Sequence, residues 1–269
     1  MCIRDSGSYN KNEVGNIPTS DGIIHGAGDE LYNNASEFYR AENGQPIGYF
    51  WGYKTAGIFQ NTQEIDEWRA AGNGILQSNV QPGDVRFVDR NHDGQINDKD
   101  KVNLGNGTPD FTLGLNLGFV YKGFDFSIVA NGAFGQQIVQ SYRNHTRPTP
   151  NYTTAILDRW HGEGTSNRIP RVTDSNINYQ FSDLFIQNGD YLRLSTLTLG
   201  YDFAKLFKGK AVSQARLYFQ VQNLFIITGY DGMDPEIGFG SSNNSWVSGL
   251  DYGYYPRPRT VLVGVNLKF

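Results

Sequence analysis

The chain has 269 residues, 38% of them hydrophobic, and carries a formal net charge of −4 at pH 7. This charge excludes the basic footprint of a nucleic-acid-binding protein, and the lone Cys2 excludes an internal disulfide and a cysteine zinc site. No apolar run is long enough for a transmembrane helix, and mean hydropathy is −0.49. Abundant glycine (32) and aromatic residues (16 Tyr, 17 Phe, 4 Trp) instead favour many strands joined by tight turns.

The first residues contain no recognisable targeting signal. Residues 1–6 lack the apolar core of a signal peptide, and residues 8–14 follow at once with a pattern typical of the middle of a strand. We therefore expect residues 1–6 to be an artefactual leader on a truncated gene, with residues 7–269 forming part of a longer protein. A genuine short N-terminus is the alternative.

Alternation of apolar and small or polar residues is clearest from Phe111 to Tyr121. The large apolar side chains occupy the odd positions, and Thr, Gly and Asn fill most of the even ones. At about 3.3 Å per residue and a tilt near 45°, such a strand spans about 25 Å, the height of an outer-membrane apolar band. After Lys122 and Gly123 the alternation restarts over residues 124–131, which predicts an antiparallel hairpin.

Three further segments alternate in the same way: residues 191–203, 215–225 and 259–269. In the first of them the apolar phase slips, and a β-bulge near Ser195 and Thr196 would restore it. The minor face of these strands carries mostly Gly, Asn, Thr, Ser and Gln rather than Lys and Glu. That composition favours the polar lumen of a wide barrel over the water-facing side of a soluble sandwich.

The connections between the predicted strands alternate in length. Those after residues 121 and 203 have about 2 and 11 residues, whereas those after 131 and 225 have about 59 and 33. Outer-membrane barrels alternate short periplasmic turns with long extracellular loops in this way. We therefore predict an all-β chain, the C-terminal portion of a transmembrane antiparallel β-barrel, with residues 135–190 and 226–258 largely outside the cell. Phe269, ending an alternating strand, is typical of the signal that outer-membrane assembly recognises.

Four stretches carry a resemblance to a known family. They are residues 44–60 (GQPIGYFWGYK, then GIFQ), 189–201 (GDYLRL, then TLGY), 222–236 (QNLF, then GYDGMDPE) and 255–269 (YPRPRT, then GVNLKF). In this order they resemble the SusC/RagA family of TonB-linked outer-membrane proteins, the TonB-dependent receptors. The resemblance implies a plugged barrel of about 22 strands. It also implies a TonB box and a plug, which we expect to lie outside this chain.

One segment has the oxygen spacing of a calcium-binding loop. Within residues 84–105, counting Asp89 as position 1, side-chain oxygens fall at positions 1, 3 and 5, a glycine at 6 and a carboxylate at 12. A hard cation takes six to eight oxygen ligands, and a glycine at position 6 allows the sharp turn around it. The candidate ligands are Asp89, Asn91, Asp93, the backbone carbonyl of Gln95, and Asp100, where an EF-hand has Glu. The alternative is an ion-free loop stabilised by Asx turns.

No other pattern predicts catalysis. The four histidines, His25, His92, His145 and His161, are scattered, and no Ser or Cys nucleophile has a recognisable setting. We therefore expect no enzymatic activity.

The function implied by the resemblance is TonB-dependent uptake of an oligosaccharide or peptide across the bacterial outer membrane. Its implied partners are a SusD-like surface lipoprotein, the TonB system, outer-membrane lipid and the transported substrate, with Ca²⁺ as a structural ion. Two alternatives remain open: a secreted calcium-stabilised β-protein that binds carbohydrate, and a β-rich hydrolase.

Overall fold

The computed structural model describes residues 1–29, 31, 35–141, 153–173, 176–204, 212–238 and 245–269. These residues form fifteen β-strands, one α-helix and four 3-10 helices. The strands are β1 (Cys2–Tyr9), β2 (Ile23–His25), β3 (Tyr39–Glu42), β4 (Tyr49–Gly52), β5 (Thr55–Ile58), β6 (Val85–Phe87), β7 (Val102–Asn103), β8 (Phe111–Tyr121), β9 (Phe124–Phe134), β10 (Gln137–Gln140), β11 (Ile186–Asn188), β12 (Tyr191–Asp202), β13 (Gln214–Thr228), β14 (Leu250–Asp251) and β15 (Thr260–Lys268). The helices are α1 (Thr62–Ala70) and the 3-10 turns Asp98–Asp100, Thr154–Asp158, Asn176–Tyr179 and Asp183–Phe185. Every described helix is too short to traverse a bilayer.

The long strands make one six-stranded sheet in the order β1-β8-β9-β12-β13-β15. Each neighbouring pair is antiparallel. The predicted strand Phe111–Tyr121 is confirmed residue for residue, and β9 and β13 extend beyond the predicted bounds. The structure adds β1, which the alternation did not indicate and which pairs with β8 from Cys2 to Tyr9. The prediction that residues 1–6 are an artefactual leader stays a prediction.

The predicted hairpin between β8 and β9 closes on two residues with left-handed backbone. Lys122 has φ 49° and Gly123 has φ 93°. A two-residue turn of this kind has the twist that flanking antiparallel strands require. The register therefore begins at the pair Tyr121–Phe124 and runs without interruption to Phe111–Phe134.

The predicted β-bulge in β12 is confirmed. The pairing of β12 with β9 shifts between Leu194 and Thr196, which leaves Ser195 as the extra residue. The pairing of β12 with β13 shifts at the same level, where Asn223 has φ 51°. Because a side chain changes face at each residue, one extra residue returns the apolar positions of β12 to their original face.

One face of the six-stranded sheet is apolar because these registers agree. A single row crosses all six strands through Ile3, Leu117, Ile128, Leu197, Val221 and Val261. The next row contains Phe119, Phe126, Leu199, Phe219 and Val263. Phe119, Leu199, Phe219 and Val263 are exposed. Exposed apolar side chains arranged in such rows are typical of a surface that contacts lipid or another protein.

The opposite face of the sheet is polar and uses glycine for close approach. Arg216 on β13 and Asp125 on β9 form an ion pair across the intervening strand, with Nη2 and Oδ2 2.5 Å apart. A Cβ on Gly200 of β12 would lie 2.3 Å from Asp125 Oδ1. Glycine at this position therefore leaves room for the two side chains to meet above the strand.

Long and short connections leave the sheet at opposite ends, as the alternation in loop length predicted. Asn10, Asp110 and Phe134 are joined by backbone hydrogen bonds at one end, and Gly123 is bonded to Asp202 at the other. The described residues of the three long connections, within 10–110, 135–190 and 229–259, fold together at the first end. We call this assembly the loop body.

The loop body has its own hydrophobic core, which holds most of the fully buried apolar side chains of the described residues. The main cluster contains Leu31, Ala35, Phe38, Tyr39, Phe50, Leu104, Val139, Phe181, Val247 and Leu250. A smaller cluster contains Tyr53, Val85, Phe87 and Ile96. Each large side chain buried in this way contributes about 1.5–3 kcal/mol. Because the main cluster draws on all three connections, none of them is a separate surface loop.

Short sheets join the connections to one another. The four-stranded sheet β2-β3-β4-β7 and the pair β5-β6 lie within residues 10–110. The three-stranded sheet β11-β10-β14 links residues 135–190 to residues 229–259, and its β10–β14 pair is parallel. The connection of about 59 residues predicted after residue 131 thus contains the short strands β10 and β11.

Helix α1 is the one α-helix of the described residues, and its ends follow from its sequence. Asn61 caps the N-terminus, its side chain accepting a hydrogen bond of 2.9 Å from the Glu64 N–H. Gly72, with φ 81°, follows the last turn and takes the left-handed conformation in which helices commonly end.

Gly107 provides a test of how closely the connections of the loop body pack. A Cβ at this position would lie 2.2 Å from the Ser248 carbonyl oxygen and 2.5 Å from Gly249 Cα, both backbone atoms. We expect Gly107→Ala to lower the free energy of unfolding by about 1–3 kcal/mol, because the backbones must separate. Gly229→Ala is the matched control, since nothing lies within 4 Å of its Cβ. Urea unfolding of both variants measures the difference, and equal losses would contradict close packing here.

Candidate functional site

A buried ion-pair network lies where the loop body meets the sheet. Arg193 of β12 is 4% exposed, and its Nη2 lies 2.6 Å from Asp234 Oδ1. Its Nε lies 3.2 Å from Glu236 Oε2, within ion-pair distance but without hydrogen-bond geometry. Arg257 Nη2 lies 2.9 Å from Glu236 Oε1. Two arginines and two carboxylates therefore balance one another in charge.

Local backbone geometry holds the acidic members of this network. Asp234 Oδ1 also accepts a hydrogen bond from the Glu236 N–H at 2.9 Å, which turns the chain around Pro235. Gln136 Nε2 donates to the Gly189 carbonyl at 2.6 Å beside it. The network thus fixes the connection 229–259 to the start of β12.

A second buried carboxylate, Asp84, joins two other connections. Asp84 Oδ1 lies 2.7 Å from Arg171 Nε and accepts a hydrogen bond from Asn178 Nδ2 at 2.8 Å. Its Oδ2 accepts from the Gln81 N–H at 2.9 Å. Asp84 therefore fixes the beginning of the predicted calcium loop to residues 135–190.

Two of the five predicted calcium ligands are buried. Asp89 is 1% exposed, and its Oδ2 accepts hydrogen bonds from the Gly74 N–H at 3.0 Å and the Gly94 N–H at 2.9 Å. Asp100 is fully buried and accepts from the Arg90 and Asn97 N–H groups, each at 2.9 Å. Both carboxylates therefore lie against the backbone of the loop.

The other three predicted ligands lie on the exposed or partly exposed rim of the loop. Asn91 Oδ1 accepts from the Asp93 N–H at 3.1 Å, and Asp93 Oδ1 accepts from the Gln95 N–H at 2.9 Å, which are Asx turns. Across the described ranges, no three His, Cys, Asp or Glu side chains form a metal-binding group. These hydrogen bonds fit the Asx-turn alternative. Calcium binding by the loop stays a prediction.

Two tyrosines of the loop body have raised pKa values. Burial raises the pKa of Tyr49 to about 12, with its hydrogen bond to Glu42 adding to the shift. Burial and the nearby carboxylates of Asp98 and Asp100 raise the pKa of Tyr53 to about 12. Both phenols therefore stay neutral near pH 7.

Three of the four histidines, His25, His92 and His161, lie within the described residues, each in a different segment. Hydrogen bonds to Glu37 and Asp21 raise the pKa of His25, an exposed residue. His161 Nδ1 lies 2.9 Å from the Arg159 carbonyl oxygen, and His92 lies in the predicted calcium loop. His145 lies outside the described residues.

The sequence motifs contain the members of the ion-pair network, but their spacing does not predict that they contact one another. Arg193, Asp234 and Arg257 each lie in a different one of three resembling stretches, and the network brings those stretches into contact. A charged residue beside leucines in a predicted strand is the signal that could have indicated Arg193, because buried charge requires a partner. The identity of that partner depends on folding.

Comparison with known proteins gives relatives along nearly the whole chain. The TonB-dependent receptor P3 of Formosa agariphila is 32% identical, and the alignment covers 97% of this chain and 26% of the relative. The TonB-dependent receptor SusC of Bacteroides thetaiotaomicron is 28% identical, with 97% and 24% covered. No family model matches the chain.

Solved structures show the same fold. The RagAB peptide transporter matches with a TM-score of 0.69 at 18% identity, covering 99% of this chain and 27% of the solved one. The RagAB peptide importer in the closed-closed state gives 0.69 at 19% identity, again with 99% and 27% covered. The chain therefore spans about a quarter of the length of the relatives and structures that it matches.

Removing the central charge of the ion-pair network tests its structural role. We expect Arg193→Met to lower the free energy of unfolding by about 3–5 kcal/mol, because Asp234 is left buried without a charge partner. Arg257→Met is the control, since its side chain is 56% exposed and its pairing with Glu236 is worth at most about 1 kcal/mol. Denaturant unfolding of the two variants in detergent measures both values. A loss below about 1 kcal/mol for Arg193→Met would show that the buried network carries little stability.

Proposed function

We propose that this chain, which belongs to the SusC/RagA family of TonB-dependent receptors, supplies strands to an outer-membrane barrel. The barrel would import a nutrient. The whole receptor would span the bacterial outer membrane, and uptake would draw its energy from the TonB system. The chain itself would line part of the lumen and form part of the extracellular surface. We propose no enzymatic activity for it.

The observation that carries the proposal is the exposed apolar face of the six-stranded sheet. The aligned rows place Phe119, Leu199, Phe219 and Val263 side by side on that face. The other face carries Asp125, Arg216 and small polar residues. An apolar outer face around a polar interior is the arrangement of an outer-membrane barrel.

The short and long connections support an orientation. The turn at Lys122 and Gly123 would face the periplasm, and the loop body would stand outside the cell. A folded body in this position would contribute to the substrate-binding surface. It would also offer a docking surface for a SusD-like surface lipoprotein, the partner that the family resemblance implies.

Two substrate classes fit the proposal, an oligosaccharide and a peptide. The related RagAB complex is described as a peptide transporter. The described residues of the loop body include exposed aromatic and charged side chains suited to either class, such as Tyr255 and Arg257. Both substrate classes therefore belong to the proposal, and an uptake assay distinguishes them.

The alternative of a secreted calcium-stabilised protein that binds carbohydrate fits the sheet less well. Its exposed surface would face water, yet Val261, Val263, Val265 and Leu267 are all exposed on β15. A water-facing strand seldom carries four neighbouring apolar side chains on one face. Lipid is the neighbour that suits this strand.

A pair of substitutions on adjacent residues of β15 tests the barrel. Val263 is 71% exposed on the apolar face, and Leu262 points to the polar face opposite Gln220. We expect Val263→Arg to destabilise the protein in bilayers by about 2–4 kcal/mol, because the charge must enter lipid near the midplane. Leu262→Arg, the same change on the lumen side, should be tolerated. Folding yields into lipid vesicles measure both, and equal tolerance would contradict a lipid-facing β15.

Uptake by cells tests the transport function and its substrate class. Cells that lack the whole receptor should lose accumulation of either labelled peptides or labelled oligosaccharides, and re-expression should restore it. An uncoupler of the proton-motive force should abolish the restored uptake, because TonB coupling supplies the energy. Unchanged uptake of both classes in the deletion strain would overturn the proposal.

A further inference from the structure

We propose that the loop from Asp89 to Asp100 binds Ca²⁺ through the Asp89 carboxylate, and that this ion is part of the folded loop body. The proposal concerns the stability of the loop body and does not depend on transport. It rests on one buried oxygen, on the charge balance around the loop and on the backbone path between the two carboxylates.

The first observation is an unsatisfied oxygen in a buried carboxylate. Asp89 is 1% exposed, and Oδ2 receives its two backbone hydrogen bonds from Gly74 and Gly94. Its Oδ1 is buried and has no hydrogen-bond partner among the described residues. Leaving a charged oxygen unpartnered in the interior is costly, so native structures supply a donor or a cation.

The second observation is the lack of a compensating positive charge. No Lys, Arg or His of the described ranges lies within ion-pair distance of Asp89 or Asp100. The other buried carboxylates described above, Asp84 and Asp234, each have an arginine partner. Asp251 is also buried without a cation in the described part of the chain, but its Oδ2 accepts from the Tyr230 hydroxyl and its Oδ1 from the Gly253 N–H. Asp89 differs from all three because it lacks a cation and also has an oxygen without a hydrogen-bond partner, and a divalent ion would supply both.

The third observation is the path of the backbone. Gly94, with φ 79°, turns the chain sharply and donates its N–H back to Asp89. Asp100 receives N–H groups from Arg90 and Asn97, so that both ends of the loop are drawn together. Hydrogen bonds of this kind pre-order a loop whose remaining oxygens can surround a hard cation.

The structure changes the relative importance of the predicted ligands. Asp89 is the anchor, because it alone combines burial with a free oxygen. Asn91 and Asp93 are exposed and bonded to each other at 2.8 Å, so their side chains can rotate toward an ion. Asp100 already accepts three backbone N–H groups and has only its remaining lone pairs to offer.

An ion bound at Asp89 would link several segments of the loop body. The loop begins shortly after Asp84, which is bonded to Arg171 and Asn178 of another connection. Its Asp89 is bonded to Gly74, which follows α1. An ion at Asp89 would therefore hold α1, the loop and residues 135–190 in one arrangement.

Trp68 makes the proposal testable by luminescence. Its indole Nε1 donates to the Gly74 carbonyl at 3.2 Å, and the Gly74 N–H is bonded to Asp89. Tb³⁺ takes the same oxygen ligands as Ca²⁺ and emits when a nearby indole is excited. We expect the full chain in detergent to show Tb³⁺ emission on tryptophan excitation, and excess Ca²⁺ to displace it.

Two isosteric substitutions locate the ion. We expect Asp89→Asn to weaken Tb³⁺ and Ca²⁺ binding on the order of tenfold or more, because an anchoring carboxylate is lost. Asp98→Asn is the matched control: it removes the same charge from a side chain that is 75% exposed and paired with Lys101. It should leave affinity unchanged.

Further measurements separate loss of the ion from loss of the fold. Trp68→Phe should weaken the sensitised emission while calorimetry still detects Ca²⁺ binding; Trp51, whose ring centroid lies 4.3 Å from Lys101 Nζ beside the loop, accounts for emission that remains. Asparagine at 89 retains an acceptor for Gly74 and Gly94, and circular dichroism should match that of the unaltered chain. Equal affinity in Asp89→Asn and Asp98→Asn, or no Ca²⁺ binding by calorimetry, would overturn the proposal.

Discussion

The register of the six-stranded sheet is the constraint on which the rest of the structure depends. Antiparallel pairing satisfies the backbone N–H and C=O groups of its inner strands within the sheet, which a strand in lipid requires. The same register decides which side chains share a face, because a slip of one residue reverses every position. The coincident bulges at Ser195 and Asn223 show how closely this is controlled, since they keep Leu194 and Leu197 on one side.

The loop body is stabilised in a different way from the sheet. Its apolar side chains point inward to a core of aromatic and aliphatic residues, such as Phe38, Phe50 and Phe181, whereas those of the sheet point outward. A body of this kind is stabilised by packing and by buried charge pairs, of which Arg193 with Asp234 and Asp84 with Arg171 are the clearest. The first pair joins the connection 229–259 to strand β12, and the second joins two connections. Because a buried charge is stable only beside its partner, these pairs specify which segments meet more strictly than apolar packing does.

Among the described residues, Asp89 and Asp100 lack the arginine partner that Asp84 and Asp234 have. Asp251 is also buried without a cation there, but both of its oxygens accept hydrogen bonds. Asp89 and Asp100 are as deeply buried as Asp84, yet backbone N–H groups are their only described partners. The backbone hydrogen bonds explain how the carboxylates are tolerated, and the unpartnered Oδ1 of Asp89 is the part they leave unexplained. A calcium ion would give this loop the same function that arginine has elsewhere, that of joining connections through charge.

The sequence by itself determined five of the six strands of the sheet, all but β1, and also the turn at Lys122 and Gly123, the bulge near Ser195 and the alternation of short and long connections. These features are local, since period-two alternation and turn chemistry appear within a few residues. Tertiary structure alone decided the pairing of β1 with β8, the common core of the three connections, and the partners of Arg193 and Asp84. Those contacts join residues far apart in the chain, where no spacing rule applies. It also decided that Asp89 and Asp100 are buried while Asn91 and Asp93 are exposed, because burial depends on which segments fold over the loop.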